Sequence, residues 1–450
     1  MPKKTVFTFL ILLFFGSHFI QAQQSIKPEN ALIRYLNNND QSFKWEIKDT
    51  FKRGDATIYN ILLTSQQWRD FTWTHQLTVI VPEKIQHDGA LLFISGGSNK
   101  DSLPNWNSNQ NDQLLLAMEN IATDNHALVG ILKQTPNQPF FNGLTEDALI
   151  SYTLHNFKKD KDYSWPLLFP MVKSASKAMD AIQGFSKEKL QQQVSRFVVT
   201  GFSKRGWTSW LTGAVDQRVV AIAPMVIDIL NMPVSLQYQM KTWGDYSVEI
   251  EDYVKLGIPQ NANTPEGTAI TTMIDPYAYR QKLTIPKLIF MGTNDPYWVV
   301  DNIKNYLKDI PGTNMLHYVP NAGHDLAGGQ QAMQALSSFY STTLNKTPYT
   351  VCSWKESTTS KGVKLSIKAT PDALVDVTLW TADSSDQDLR NDKWTGKSLG
   401  IKSKANFDVL TPFPASGFRA FYVDLKYRDQ KGKTYTKSTR VYLTNNKGIL

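Results

Sequence analysis

The chain has 450 residues, 41% of them hydrophobic and 12% aromatic, and carries a formal net charge of +8. That length exceeds one ordinary core and predicts roughly two or three domains, while the composition excludes a disordered chain. Lys and Arg are scattered among acids, which argues against a nucleic-acid partner, and Cys352, the only cysteine, excludes an intrachain disulfide and a thiolate metal site.

Lys3 and Lys4 open the chain with positive charge, TVFTFLILLFF is an apolar run too short to span a bilayer, and FIQAQ offers the small residue Ala22 before a cleavage point. Residues 1–22 therefore read as an export signal. The mature chain, reduced to +6 by loss of the two lysines, is expected in the periplasm or secreted, with no stable membrane insertion.

From residue 23 to about 88 the pattern is a short helix, PENALIRYL, then the strands FKWEIKDTF, ATIYNILLT and HQLTVIVP. The rhythm then changes. ALLFISGG, HALVGIL, RFVVTGF, RVVAIAPMVI and KLIFMGTND are short continuous apolar runs, and they alternate with helical patterns such as FPMVKSASKAMDAIQGF. Buried parallel strands read this way, so residues 23–347 predict an α/β domain: a mostly parallel sheet with helices on both faces. Residues 228–280 contain no clear strand; YQMKTWGDYSVEIEDYVKLG is amphipathic, and is either a helical lid inserted over the sheet or an extended surface excursion. VVDNIKNYLKDI predicts a further helix and NMLHYVP a further strand. Across residues 348–450, VKLSIKA, LVDVTLWT, RAFYVDLKY and STRVYL alternate apolar and polar residues between turns. That alternation predicts a C-terminal all-β, sandwich-like domain, which either braces the first domain or binds carbohydrate.

VVTGFSKRGW places Ser203 between a strand and a helix, the setting of a nucleophile elbow. Gly201 fills the small position two residues before it. The residue two after it is Arg205, and the glycine follows at Gly206, so GFSKRG departs from G-x-S-x-G. Asp295, in GTNDPYW, and His324, in VPNAGHDL, each fall just past a strand end, where sites of open α/β sheets gather. They follow Ser203 in the order Ser, acid, His. His324 would take the serine proton and Asp295 would fix the imidazole tautomer; Asp325 is a poor orienter because it adjoins His324. Gly97 or Ser98, in the turn FISGGSNKD, and the N–H of Lys204 are the candidate oxyanion donors. Glu146 and Asp147, at the start of a helical pattern, either bind a substrate amine, as in dipeptidyl peptidases, or favour the helix dipole. Arg205 either binds a substrate carboxylate or pairs with those acids. Trp207, Trp210 and Trp298 read as core or cleft walls, Trp298 beside the substrate. No H-x-x-x-H or H-E-x-x-H occurs, so neither a metal nor a cofactor is expected.

GFSKRGWTSWLTGAVDQRVVAIAPMVIDILN, GTNDPYW, VPNAGHDL, PFFNGLTEDALISYT and PASGFRAFYVDLKY resemble the PhoPQ-activated pathogenicity-related (PqaA-type) family, over most of the mature chain. That family is similar to the α/β-hydrolases, so the resemblance implies their fold and a triad of Ser203, Asp295 and His324. The function expected is an exported serine hydrolase acting on small or carbohydrate esters. The alternatives are a peptidase of short peptides and a non-catalytic binding protein on a hydrolase scaffold. The expected partner is a small-molecule, glycan-ester or peptide substrate.

Overall fold

The computed structural model describes residues 1–2, 25–401 and 403–450. The export signal expected at residues 1–22 falls almost wholly outside them. Helix α1 (Pro28–Leu36) precedes three long strands, β1 (Lys44–Arg53), β2 (Ala56–Trp68) and β3 (Phe71–Pro82). Next come β4 (Gly89–Ile94), a two-residue ribbon of β5 (Asn99–Lys100) and β6 (Leu103–Pro104), α2 (Gln113–Asn125) and β7 (Leu128–Leu132). Helices α3 (Glu146–Asp160) and α4 (Leu168–Phe185) lead to β8 (Arg196–Phe202), α5 (Lys204–Val215) and β9 (Val219–Met225). Three helices, α6 (Met232–Trp243), α7 (Glu251–Lys255) and α8 (Pro265–Ile274), fill the interval before β10 (Lys287–Gly292). The segment that the sequence left between lid and excursion is therefore helical. β11 (Asn314–Val319) and α9 (Gln330–Leu344) complete the α/β region.

These strands lie in the order β1-β2-β3-β7-β4-β8-β9-β10-β11. All neighbours from β7 to β11 are parallel, whereas β1 and β3 run against theirs. This is a mixed, mostly parallel sheet, with the antiparallel β1, β2 and β3 at one edge. β4, β7 and β10 are buried along their whole length, as continuous apolar runs require when both faces are covered. One face packs on α4 and α5 through residues such as Met171, Ile182 and Leu211; the other packs on α2 and α9 through Met118, Leu336 and Phe339.

VVDNIKNYLKDI does not form the expected α-helix; only two short 3-10 turns occur, at Asn302–Asn305 and Leu307–Asp309. Asp301 accepts the Tyr238 hydroxyl at 2.7 Å and the Asn302 amide donates to the Asp228 carbonyl at 2.8 Å. Short polar side chains with tertiary partners compete with the helical backbone, and Pro311 follows.

The C-terminal strands are β12 (Cys352–Thr359), β13 (Gly362–Ala369), β14 (Leu374–Ser384), β15 (Thr395–Ser398), β16 (Asn406–Pro412), β17 (Phe418–Arg428), β18 (Thr434–Ser438) and β19 (Tyr442–Asn445). They form two layers, as a sandwich does. The sheet β12-β13-β16 packs on β14 and β17 through Val363, Leu365, Val377, Val423 and Leu425. One layer is not self-contained: β18 pairs with β11 at Leu316 and Ser438, so β18, β17, β14 and β15 prolong the central sheet. Trp394 and Tyr422 accordingly sit in the core of the α/β region. Among the described residues no helix is long and apolar enough to cross a membrane.

Candidate active site

β8 delivers Ser203 to a tight turn into α5, at φ 55 and ψ −124. A non-glycine residue at positive φ is strained and persists only where its surroundings hold it. The Ser203 N–H donates to Met225 O at 2.8 Å, and its carbonyl accepts from the Trp207 N–H at 2.9 Å. Two glycines allow this. A Cβ on Gly201 would lie 2.8 Å from Ile94 O, and one on Gly206 would lie 2.8 Å from Met225 O. The glycine displaced by one position from G-x-S-x-G is thus the one that lets α5 close on β9.

Arg205, in the position left by that displacement, turns its side chain beneath the turn after β4. Its Nη2 leaves no room for a Cβ on Gly96, at 2.6 Å. Nε donates to Thr135 O at 2.5 Å, while Nη1 and Nη2 grip both oxygens of Glu146 at 2.7 and 2.6 Å. Lys204 Nζ lies 3.1 Å from Glu146 and 2.9 Å from Asp147, and Asp147 also accepts the Tyr253 hydroxyl at 2.9 Å. Burial works to raise the Glu146 carboxyl, but Arg205, Lys204 and the Gln138 amide outweigh it and hold it at about 2. Glu146, Asp147, Lys204 and Arg205 thus form one ion-pair network beside Ser203.

Asp295, three residues past β10, meets His324, five past β11. His324 Nδ1 lies 2.8 and 3.0 Å from the two Asp295 oxygens. Asp295 is buried, 6% exposed, and also accepts the Tyr297 N–H at 2.9 Å. The Tyr297 ring stacks on the imidazole with centroids 4.0 Å apart. A carboxylate only accepts, so Nδ1 carries a proton, and in the neutral imidazole the lone pair is then on Nε2. Nε2 is buried and has no hydrogen-bond partner among the described residues. The structure thus forms the acid–imidazole contact but not a Ser203–His324 hydrogen bond. Asp325 is exposed and caps its own turn through the Ala327 N–H at 3.1 Å.

The turn after β4 lies beside the elbow because β4 pairs with β8, Ile94 opposite Gly201. The Gly97 carbonyl accepts from Gln138 at 3.0 Å and Ser98 Oγ from Asn105 at 2.6 Å. The N–H groups of Gly97 and Ser98 take no backbone acceptor among the described residues, and Lys204 opens α5, where an N–H has none within the helix.

Ser203 and Lys204 open onto an apolar cavity of about 90 Å³. Ile227 and Ile229, past β9, form one wall, and Leu236, Ile250 and Ile270 enter from the helical segment between β9 and β10. Trp207 and Trp298 also line it, whereas Trp210 is fully buried in the core. Sequence reasoning did not single out Tyr297, Asn294 or Asn321. Tyr297 had a signal in its place beside Asp295; the two asparagines act only through distant partners. Among the described residues no group of three or more His, Cys, Asp or Glu side chains is arranged to hold a metal.

A family model described as PhoPQ-activated pathogenicity-related protein matches residues 32–390. Autocrine proliferation repressor protein A of Dictyostelium discoideum is 28% identical over 427 residues, 87% of this chain and 85% of that protein. Two solved structures are similar at lower identity. Acetyl xylan esterase 1 from Thermoanaerobacterium sp. JW/SL YS485 has a TM-score of 0.47 at 18% identity, covering 70% of this chain and 95% of its own. Acylaminoacyl peptidase of Pyrococcus horikoshii has a TM-score of 0.42 at 14% identity, covering 70% and 43%.

Proposed function

The chain belongs to the PhoPQ-activated pathogenicity-related protein family, and we propose that it is an exported serine hydrolase that transfers an acyl group to water through Ser203, His324 and Asp295. The observation that carries this reading is the Asp295–His324 contact at 2.8 Å, which commits Nδ1 and leaves Nε2 as a base. The strained elbow at Ser203 supports it.

In the reaction, Ser203 Oγ bonds to the substrate carbonyl carbon and its proton passes to His324 Nε2. The imidazolium is stabilised by Asp295. The carbonyl oxygen gains the negative charge and faces the N–H of Lys204 together with that of Gly97 or Ser98. The tetrahedral intermediate collapses, the leaving-group oxygen takes the proton from His324, and the acyl group stays on Ser203. Water, deprotonated by His324, then attacks the acyl-enzyme and regenerates the serine. Esters are favoured over peptides anchored by an N-terminal amine, because Glu146 and Asp147 are already neutralised by Arg205 and Lys204. Export rests on the pattern of residues 1–22.

Fluorophosphonate labelling of the mature protein, mapped by peptide mass, tests the reading. A single adduct on Ser203, absent in Ser203→Ala and strongly slowed in His324→Ala, is the expected result. No adduct under conditions that label a control hydrolase would overturn it in favour of a binding protein on a hydrolase scaffold.

A further inference from the structure

The cavity beside Ser203 has a chemical character that the proposed reaction does not require. Its walls are mostly aliphatic and aromatic side chains from five places: helix α3 at Leu154, helix α5, the segment after β9, the helices α6 to α8 with their connections, and Tyr297 and Trp298 after β10. The charged side chains on it, Asp147 and Lys204, are bonded to each other at 2.9 Å, and Asp147 also holds the Tyr253 hydroxyl. A sugar or a charged group placed here would lose water and find few partners among these mostly apolar walls, a penalty on the order of tenfold or more in affinity per unpaired hydroxyl. A hydrocarbon loses nothing of that kind.

The geometry also says which half of an ester enters. Ser203 and Lys204 line the cavity and His324 does not. The leaving group must face His324 to receive its proton, so the leaving group lies outside and the group attached to the carbonyl carbon lies inside. An aliphatic cavity of about 150 Å³ holds a benzene ring; on that scale about 90 Å³ takes roughly three to five carbons.

Resting on the serine-hydrolase reading, we infer that this cavity is an acyl pocket for a short aliphatic chain, linear or branched, of butanoyl to hexanoyl size. Specificity then lies in the acyl group, and the helices between β9 and β10 supply the specificity residues. The alcohol half is read outside the pocket and is free to be polar.

The test is a series of p-nitrophenyl esters, acetate, butanoate, 3-methylbutanoate, hexanoate and octanoate, run beside fluorophosphonate labelling. The expected kcat/KM for butanoate to hexanoate exceeds that for acetate by about tenfold or more, and octanoate falls away. Ile258→Trp, at a half-buried position on the wall, and Ile270→Trp, at a buried one, lower the hexanoate-to-acetate ratio by about tenfold, a ratio that a general loss of folded enzyme would not move. A flat or acetate-favouring profile in protein that labels on Ser203 overturns the acyl pocket and leaves the hydrolase reading standing. Absence of labelling overturns the hydrolase reading. The pocket is then judged on Ser203→Ala: methyl hexanoate raising its Tm where methyl acetate does not supports an aliphatic site, and no difference between the two sinks it.

Discussion

Asn321 and Trp394 exchange two hydrogen bonds: the Asn321 amide donates to the Trp394 carbonyl at 3.0 Å, and the Trp394 N–H donates back to the Asn321 side-chain oxygen at 2.8 Å. Asn321 stands three residues before His324, and Trp394 just before β15 in the C-terminal region. Asn294, beside Asp295, likewise donates to the carbonyls of Asp392 at 2.8 Å and Arg390 at 3.1 Å. One segment of the C-terminal region thus holds both loops that carry Asp295 and His324. This contact matches a bracing role for the region. Its Trp354 and Phe407 pack toward the core between its two layers.

Asn321→Ala is expected to slow fluorophosphonate labelling of Ser203 by about tenfold to a hundredfold, because small displacements of a general base have large effects. The loss of stability should be about 2–4 kcal/mol, the net worth of two hydrogen bonds plus the cost of alanine at the left-handed φ of 56. Labelling at the wild-type rate, with the expected fall in Tm, would show that the brace does not position His324.

Arg205→Met leaves Glu146 with Lys204 as its one cation, beside the Gln138 amide, and removes a bond to Thr135 O. Glu146 is partly exposed, so the expected loss is about 2–3 kcal/mol, below the range for a fully buried pair. The double variant Arg205→Met with Glu146→Gln should recover part of that loss in urea unfolding. Strict additivity of the two single effects would mean that the pair is not coupled.

Gly206→Ala places a Cβ 2.8 Å from Met225 O and 3.0 Å from Gly201 O, both backbone atoms. Overpacking of this kind costs about 1–3 kcal/mol, and here it pushes α5 away from β9 and opens the Ser203 turn. Labelling should fall together with Tm. A folded variant that labels normally would show that the displaced glycine is dispensable.

Burial lowers the His317 imidazole to about 4 and raises the Asp424 carboxyl to about 7. The signs are opposite in effect. His317 contributes stability that is present above about pH 6.5 and lost as pH falls through about 4, whereas Asp424 contributes stability that is present below about pH 4 and lost as pH rises through about 7. His317→Gln should therefore flatten the fall of Tm on acidification, and Asp424→Asn should flatten its fall between pH 4 and 7. Unchanged slopes in both variants would contradict the burial argument. Absolute Tm is less informative, because each substitution also disturbs hydrogen bonds to Thr436 or to Trp380 and Ser438.

The candidate site was legible where chemistry coincides with local pattern. Ser203, Asp295 and His324 each end a continuous apolar run, and such a run marks a buried parallel strand whatever its neighbours. Gly201 and Gly206 were legible for the same reason, since a strand-to-helix turn demands small residues within a few positions. The alternatives for Arg205, Glu146 and Asp147 stayed open because 58 or 59 positions separate them in the chain, and nothing local states which acid a cation meets.

The all-β character of residues 348–450 followed from alternation, but its attachment did not. Alternation assigns inward and outward faces to a strand and says nothing about which free edge it joins. Pairing of β18 with β11 depends on an open edge more than a hundred residues away. VVDNIKNYLKDI shows the opposite case, where helical periodicity was present and tertiary hydrogen bonds of Asp301 and Asn302 prevailed. The sequence by itself determined the main strands of the α/β region, the placing of Ser203, Asp295 and His324 past strand ends in that order, and the all-β character of the tail, because these rest on periodicity and turn chemistry over a few residues; β12, β15 and β16 escaped it. Only the tertiary structure decided the ion-pair network under the turn after β4, the shape of the apolar cavity and the clasp on the Asp295 and His324 loops. Each of those joins groups distant in the chain, and their partners are selected by packing rather than by spacing.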